Sequence, residues 1–486
     1  MNYGLYINGK WVKSTSDETF ESVNPATEKS IGNFAAGNEL DAKKAVDAAE
    51  EAFEKWSSTP APKRGEILLR AAQLLKENKE RLARLETIEM GKILEEARGD
   101  VQEAIDITEY MAGEGRRLFG NTTPSELPNK FCMTVRRPIG VVGVITPWNF
   151  PIAIPAWKMA PALVCGNTVV FKPASDTPLC AIEYVKILEK AGVPKGVINM
   201  VTGSGETVGS AIVKNKKIRA LSFTGSRDTG DWITKNAGIK KISLEMGGKD
   251  GIIVMDDADL KLAIDGVIWA AFATSGQRCT AASRVIVHSS IKEKFVHELV
   301  IRTNRLRLGS GLKSTTDMGP LINEAAVRKS ETYTQVGRNQ GARMLCGGVR
   351  LPGRGFFFKP TIFENVTIDM KISQEEIFGP VLSIIEFNKI DEAINIMNSI
   401  EYGLSSSIYT KNIDMAFRAI EKIDAGITYI NSSSIGAEVH LPFGGVKQTG
   451  HSREGGITGI DEFSEIKTVY VDYSGKLQKA QIDNRK

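Results

Sequence analysis

The stretch Gly140-Val141-Val142-Gly143-Val144-Ile145-Thr146-Pro147-Trp148-Asn149-Phe150-Pro151 opens with an apolar run and stops at a proline, leaving an aromatic ring and an amide on the loop beyond. A run this short, apolar at successive positions, fits a strand buried on both faces. Outward from it the pattern alternates. A helix is predicted across Ile154 to Val164, a strand over Asn167 to Lys172, a helix across Pro178 to Ala191, and strands over Val197 to Val201 and Arg219 to Phe223. Such alternation predicts a parallel sheet covered by helices, whose ligands bind outside the carboxyl ends of its strands. Asn149, Lys172, Ser226 and Glu245 all lie just beyond or at predicted strand ends.

Two later stretches carry chemistry. Leu244-Glu245-Met246-Gly247-Gly248-Lys249 sets a carboxylate at the end of an apolar strand, beside glycines that allow a ligand close to the backbone. Ala271-Phe272-Ala273-Thr274-Ser275-Gly276-Gln277-Arg278-Cys279-Thr280-Ala281-Ala282-Ser283 places a thiol after a glycine turn and before small residues suited to starting a helix. A helix N-terminus, or the charge of Arg278, would lower the thiol pKa and make Cys279 a nucleophile. The other reading of a cysteine among alanines is a small buried hydrophobe. Thiol, carboxylate and the Asn149 amide together make nucleophile, base and oxyanion donor for acyl chemistry.

With Phe223-Thr224-Gly225-Ser226, Glu375-Glu376-Ile377-Phe378-Gly379-Pro380 and Pro442-Phe443-Gly444-Gly445, these stretches resemble the aldehyde dehydrogenase superfamily, in its order and along nearly the whole chain. The resemblance implies an α/β fold with a Rossmann-type cofactor domain (1–117 and 139–246, with 446–464), an α/β catalytic domain (247–445) and a small β oligomerisation extension (118–138 and 465–486). It also implies a route. Cys279 adds to an aldehyde carbonyl, the Asn149 side chain and the Cys279 N–H hold the oxyanion, hydride leaves for a nicotinamide, and water activated by Glu245 hydrolyses the thioester. Relatives that pass the acyl group to coenzyme A commonly lack this glutamate, so Glu245 points to hydrolysis.

Around the cofactor the resemblance places Ile145, Trp148, Gly205 and Gly225. Ser226 and the helix after it would meet the pyrophosphate, Lys172 the adenosine ribose, and Glu376 the nicotinamide ribose, with Phe378 packed beside that ring. Thr202-Gly203-Ser204-Gly205-Glu206-Thr207-Val208-Gly209 departs from the usual GxGxxG spacing and reads equally as a helix-start turn. Relatives preferring NAD commonly carry a glutamate three positions after the lysine. This chain has Ser175 there, short and neutral, with Asp176 expected to point away. NADP is therefore the expected cofactor, with NAD also accepted.

For the substrate, the resemblance puts Phe150, Trp157 and Phe443 on the aldehyde tunnel, with residues near Ser433-Ser434-Ile435. Succinate-semialdehyde dehydrogenases usually have an arginine at the position of Trp157. Ile154-Pro155-Ala156-Trp157-Lys158 and Gly450-His451-Ser452-Arg453-Glu454 look most like dehydrogenases of 2-oxoglutarate semialdehyde (2,5-dioxopentanoate). Broad small aliphatic aldehyde or succinate-semialdehyde oxidation is the alternative, and a non-enzymatic member of the fold is disfavoured by the full set of motif residues.

At 486 residues, with 42% hydrophobic and 25% charged, the chain is long enough for two or three domains. Its net charge of +4 is spread without a basic block, which gives no support to nucleic-acid or membrane binding. Met1 to Lys10 lacks the apolar core of a signal peptide and no run is long enough to span a bilayer, so a soluble cytoplasmic protein is expected. Cys132, Cys165, Cys180, Cys279 and Cys346 have no paired spacing, and the four histidines form no ligand pattern; no metal is expected.

Tyr3 to Val12 reads as a hairpin turning at Asn8-Gly9, followed by helical periodicity over Glu39 to Trp56 and Lys63 to Met90. Phe131 to Val135 and Lys467 to Tyr473 alternate as strands. The resemblance makes them partners in a sheet that contacts another subunit, so a homodimer or homotetramer is expected. Beyond Gly248 a second unit is expected, with a strand at Ile252 to Met255, helices around Cys279 and further alternation to Tyr429; the polar tail from Lys476 is expected to be loose.

Overall fold

The computed structural model describes residues 2–483, so Met1 and residues 484–486 of the ranges above lie outside the described residues. The alternation from Gly140 forms a sheet in the order Lys241–Glu245, Ile218–Thr224, Val141–Ile145, Thr168–Lys172, Ile198–Met200, Leu5–Ile7, Lys10–Val12. Its first five strands are parallel. The chain runs outward from Val141–Ile145 through two strands on one side, then crosses back to add two on the other. The crevice of a doubly wound sheet opens at that reversal, beyond the carboxyl ends. It is there that Asn149, Ser226 and Glu245 stand.

The apolar runs are continuous because both faces are covered. Val142, Val144, Val169 and Phe171 pack into one core, while Val141, Val170 and Leu221 pack into another across the sheet. A second sheet, ordered Arg343–Cys346, Thr361–Glu364, Val381–Phe387, Arg284–His288, Gly251–Val254, Ser405–Tyr409, Ile427–Ile430, is parallel except at its first strand. Ile252 and Val254 face one core and Ile253 the other, the period-two signature of a strand.

A third sheet is antiparallel. Ser464–Asp472 pairs with Lys130–Pro138 from Ser464 opposite Pro138 to Asp472 opposite Lys130, and Thr122–Pro124 lies on the far side. Phe131, Ile466 and Tyr470 are exposed on it.

Three local expectations change. The hairpin is Leu5 to Val12, with Tyr6 opposite Trp11, while Tyr3 leaves to pair beside Phe34 in another sheet. The periodicity over Lys63 to Met90 is two helices, Ala61–Glu77 and Lys79–Glu89. Asn78 breaks it by donating its side-chain amide to Leu74 O at 2.8 Å, which closes the first helix. Cys279 is not succeeded by a helix: Ala281 to Ser283 lead directly into the strand Arg284–His288.

Candidate active site

The loop carrying Cys279 is an unusual piece of backbone. Thr274, Ser275 and Gly276 are all left-handed, at φ 51°, 57° and 71°. Two non-glycine residues in that region persist only where the surroundings hold them. The holding groups are visible. Glu96 accepts from Thr274 N at 2.8 Å and Thr274 Oγ1 at 3.2 Å; Ser275 Oγ donates to Gly319 O at 2.8 Å. Gln277 is fully buried and takes Ile322 N on its Oε1 at 2.9 Å while its Nε2 donates to Thr274 O at 3.1 Å. The thiol is thus fixed by partners far away in the chain, including Glu96 on the helix Leu94–Glu114.

Cys279 and Glu245 line one cavity of about 100 Å³, walled by Phe150, Trp157, Phe443 and Ile435. Trp157 and Phe443 meet edge to face at 5.9 Å between centroids. Ser434 stands behind this wall, its Oγ donating to Thr280 O at 2.9 Å. Asn149 is buried beside the loop and donates Nδ2 to Gln277 O at 3.0 Å. An amide nitrogen carries two protons, and the second makes no hydrogen bond among the described residues.

The electrostatics overturn the expectation for the thiol. Burial is the main influence, followed by the charges of Asp250, Glu376 and Glu245, and together they push the Cys279 thiol far above its ordinary range. No helix N-terminus supplies relief. Arg278 does not either: its Nε donates to Thr274 Oγ1 at 2.9 Å and its Nη2 lies 3.8 Å from Glu96 Oε1.

Glu245 ends the strand Lys241–Glu245, and both its carboxylate oxygens are buried with no hydrogen-bond partner. Burial raises its pKa well above the usual carboxylate range, and the neighbouring Glu454 raises it further. Glu454 is itself paired with the fully buried Lys158, which donates to Ser222 Oγ at 3.0 Å. Gly444 explains the tight approach of the Pro442-Phe443-Gly444-Gly445 turn. At its φ of 154°, a Cβ would come within 2.8 Å of Glu245 Oε1 and 2.2 Å of Ser452 O.

The expected cofactor residues form two groups around the crevice. Ser175 Oγ donates to Gly203 O at 3.1 Å, tying the Lys172 loop to the turn Gly205–Gly209, which Ser204 caps by accepting Thr207 N at 3.0 Å. That glycine run does start a helical turn. Lys172 Nζ donates to Pro173 O at 2.9 Å, and burial lowers its pKa to about 8 despite the opposing pull of Asp176. Asp176 accepts from Asn323 Nδ2 at 2.9 Å. On the other side of the strand Val141–Ile145, Gly225 donates to Glu245 O, and Ser226 caps the helix Arg227–Asn236.

Near the thiol, Trp148 and Phe378 meet edge to face at 5.5 Å, and Glu376 Oε1 accepts Gly248 N at 3.0 Å. A Cβ on Gly247 would lie 2.1 Å from Glu376 Oε2, so only glycine lets this carboxylate sit there. A helix N-terminus, a buried lysine and a carboxylate cradled by glycine fit the phosphate, hydroxyl and ring groups of a dinucleotide. Among the described residues no group of three or more His, Cys, Asp or Glu could hold a metal, and no helix is long and apolar enough to cross a membrane.

Sequence reasoning missed several residues that shape the site: Glu96, Gln277, Glu103, Lys158 and Glu454. The first and third had a signal. Glu96, Asp100 and Glu103 recur at helical spacing on Leu94–Glu114, a helix rich in buried alanine and isoleucine.

Residues 11–469 match the model of the Aldehyde dehydrogenase family. An alpha-ketoglutaric semialdehyde dehydrogenase of Bacillus subtilis strain 168 is 45% identical over 96% of this chain and 98% of its own. A 2,5-dioxopentanoate dehydrogenase of Saccharolobus solfataricus is 40% identical over 95% and 98%. The crystal structure of a betaine aldehyde dehydrogenase from Staphylococcus aureus in complex with NAD+ superposes with a TM-score of 0.96 at 38% identity, covering 98% of this chain and 95% of that one. Family match, fold and a cleft that joins thiol to carboxylate agree: the chain belongs to the aldehyde dehydrogenase family, and it is an enzyme.

Proposed function

We propose that the enzyme oxidises 2,5-dioxopentanoate to 2-oxoglutarate through a thioester on Cys279, with NADP preferred and NAD accepted. The observation that carries the chemistry is that Cys279 and Glu245 open into the same aromatic-walled cavity. The Cys279 sulfur adds to the aldehyde carbon while the free Asn149 Nδ2 proton and the Cys279 N–H steady the oxyanion. A bound nicotinamide would accept the hydride. Glu245 then takes a proton from water attacking the thioester, and the acid leaves. Lys172, Ser175, Gly205, Gly225 and Ser226 would hold the adenosine and phosphate end; Ile145, Trp148, Glu376 and Phe378 would hold the nicotinamide end. Phe150, Trp157 and Phe443 would guide the substrate chain.

The same reading divides the chain as expected from its sequence, with residues 118–138 and 465–486 forming an extension that joins two or four copies. Exposed apolar side chains on the third sheet, Ile466 at 62% and Tyr470 at 65%, support an oligomer. The semialdehyde substrate is supported by the two similar dehydrogenases of that compound. Specificity constants for 2,5-dioxopentanoate, succinate semialdehyde, glyceraldehyde and aliphatic aldehydes test it, and the first should be the best substrate. A preference for an uncharged aldehyde contradicts the proposal.

Cofactor choice rests on Ser175, which offers a hydroxyl and no charge where a carboxylate would repel a 2′-phosphate. Asp176 accepts from Asn323 Nδ2, although its charge still reaches Lys172. Ser175→Glu should move the ratio of specificity constants toward NAD by at least about tenfold, the effect of one like charge nearby. An unmodified enzyme with a higher specificity constant for NAD than for NADP contradicts this reading.

A further inference from the structure

The inner cavity opens outward into a groove, and Glu103, Phe150, Arg278, Ile435, Gly436 and Ala437 belong to both. They form the neck between groove and cavity. Among the described residues Arg278 is the one basic side chain lining the inner cavity; its other charged residues are Glu103, Glu245 and Glu454.

Arg278 is held without being used up. Its side chain is 10% exposed, and its guanidinium lies 5.2 Å from the Phe150 ring centroid and 5.3 Å from that of Trp269. Contact with two rings leaves the edge, not the faces, for a ligand. One donor of that edge is committed, Nε to Thr274 Oγ1. Nη1 and Nη2 donate no hydrogen bond among the described residues. The nearest carboxylate, Glu96, is 3.8 Å away and already occupied by Thr274 N and Oγ1.

We propose that the Nη1 and Nη2 edge of Arg278 binds the substrate's carboxylate, making Arg278 the residue that selects short oxo-acids over neutral aldehydes. This rests on the substrate reading above and deepens it. A guanidinium fork matches a carboxylate in two parallel hydrogen bonds, which a hydrocarbon chain cannot satisfy. Because Arg278 directly precedes the thiol, it also sets the spacing between carboxylate and aldehyde, and so favours a chain of few carbons. Glu103, on the same neck, lies beyond ion-pair distance of this edge; burial first, then Asp100, raise its pKa to about 7, with the Arg278 charge pulling the other way. The missing arginine at Trp157 is thereby replaced from a different element, across the same cavity.

The test compares kcat/KM for 2,5-dioxopentanoate with that for pentanal, a neutral aldehyde of equal length, in the unmodified enzyme, Arg278→Met and Arg278→Lys. Using the ratio cancels any general damage to the loop. It should fall about 100-fold in Arg278→Met, mostly through KM for the acid, and recover in part in Arg278→Lys, which keeps charge but loses the fork. A ratio unchanged in both variants, with the two substrates losing activity equally, overturns the role of Arg278 and leaves it a support for the loop. An unmodified enzyme that already prefers pentanal overturns the substrate reading instead. Should Arg278→Met not fold, Arg278→Lys decides: a lower ratio supports the proposal, and an unchanged ratio overturns it.

Discussion

Cys279→Ala should abolish aldehyde oxidation, lowering kcat/KM by at least about 10⁴-fold, while cofactor affinity stays nearly unchanged. The size reflects covalent chemistry: without the sulfur no adduct forms, and hydride transfer from a free aldehyde has no oxyanion to drive it. No other thiol can stand in. Cys132, Cys165 and Cys180 are buried, and Cys346 is absent from the cavity lining. The residues proposed to hold the cofactor hang on other elements, so loss of one sulfur leaves them in place. Turnover measured by reduced-cofactor absorbance, beside a fluorescence titration of cofactor, checks both halves. Substantial residual dehydrogenase activity contradicts the assignment of Cys279.

Glu245→Gln should slow thioester hydrolysis by about 10²- to 10³-fold and hydride transfer far less. Its carboxylate is buried with neither oxygen hydrogen-bonded among the described residues, which leaves both able to accept from a water in the cavity. Burial raises its pKa above the usual carboxylate range, and once ionised such a carboxylate takes a proton from water more readily than an exposed one. Glutamine keeps the shape and loses this capacity. Rapid mixing should then show a burst of reduced cofactor, one equivalent per site, before a slow steady state. Slow hydride transfer without a burst would move the main role of Glu245 to an earlier step.

The frame of this site was legible where local pattern and tertiary role coincide. Apolar runs ending at Ile145, Lys172, Thr224 and Glu245 are strands of the doubly wound sheet, and their carboxyl ends border the crevice. The Cys279 loop was not legible in the same way. Its left-handed Thr274 and Ser275 carry no conformational signal, because Glu96, 178 residues distant from Thr274, and Gly319 hold them. Alanines after Cys279 suggested a helix start, but the next strand, Arg284–His288, begins too soon for one. Arg278 looked like a partner for the thiol since it is next to it; side-chain direction, which adjacency does not encode, turned it to Thr274 and the rings of Phe150 and Trp269. The charges of Leu94–Glu114 were overlooked because acidic residues on a helix usually face water, whereas Glu96 and Asp100 are buried.

The central claim, that a thioester forms on Cys279 and is cleared by Glu245, is tested most directly by mass spectrometry of Glu245→Gln mixed with aldehyde and oxidised cofactor, then quenched in acid. The account predicts an intact mass raised by one acyl group, with peptide mapping placing it on Cys279 and hydroxylamine removing it. Burst formation of reduced cofactor with no acyl adduct, or an adduct on another residue, would contradict it.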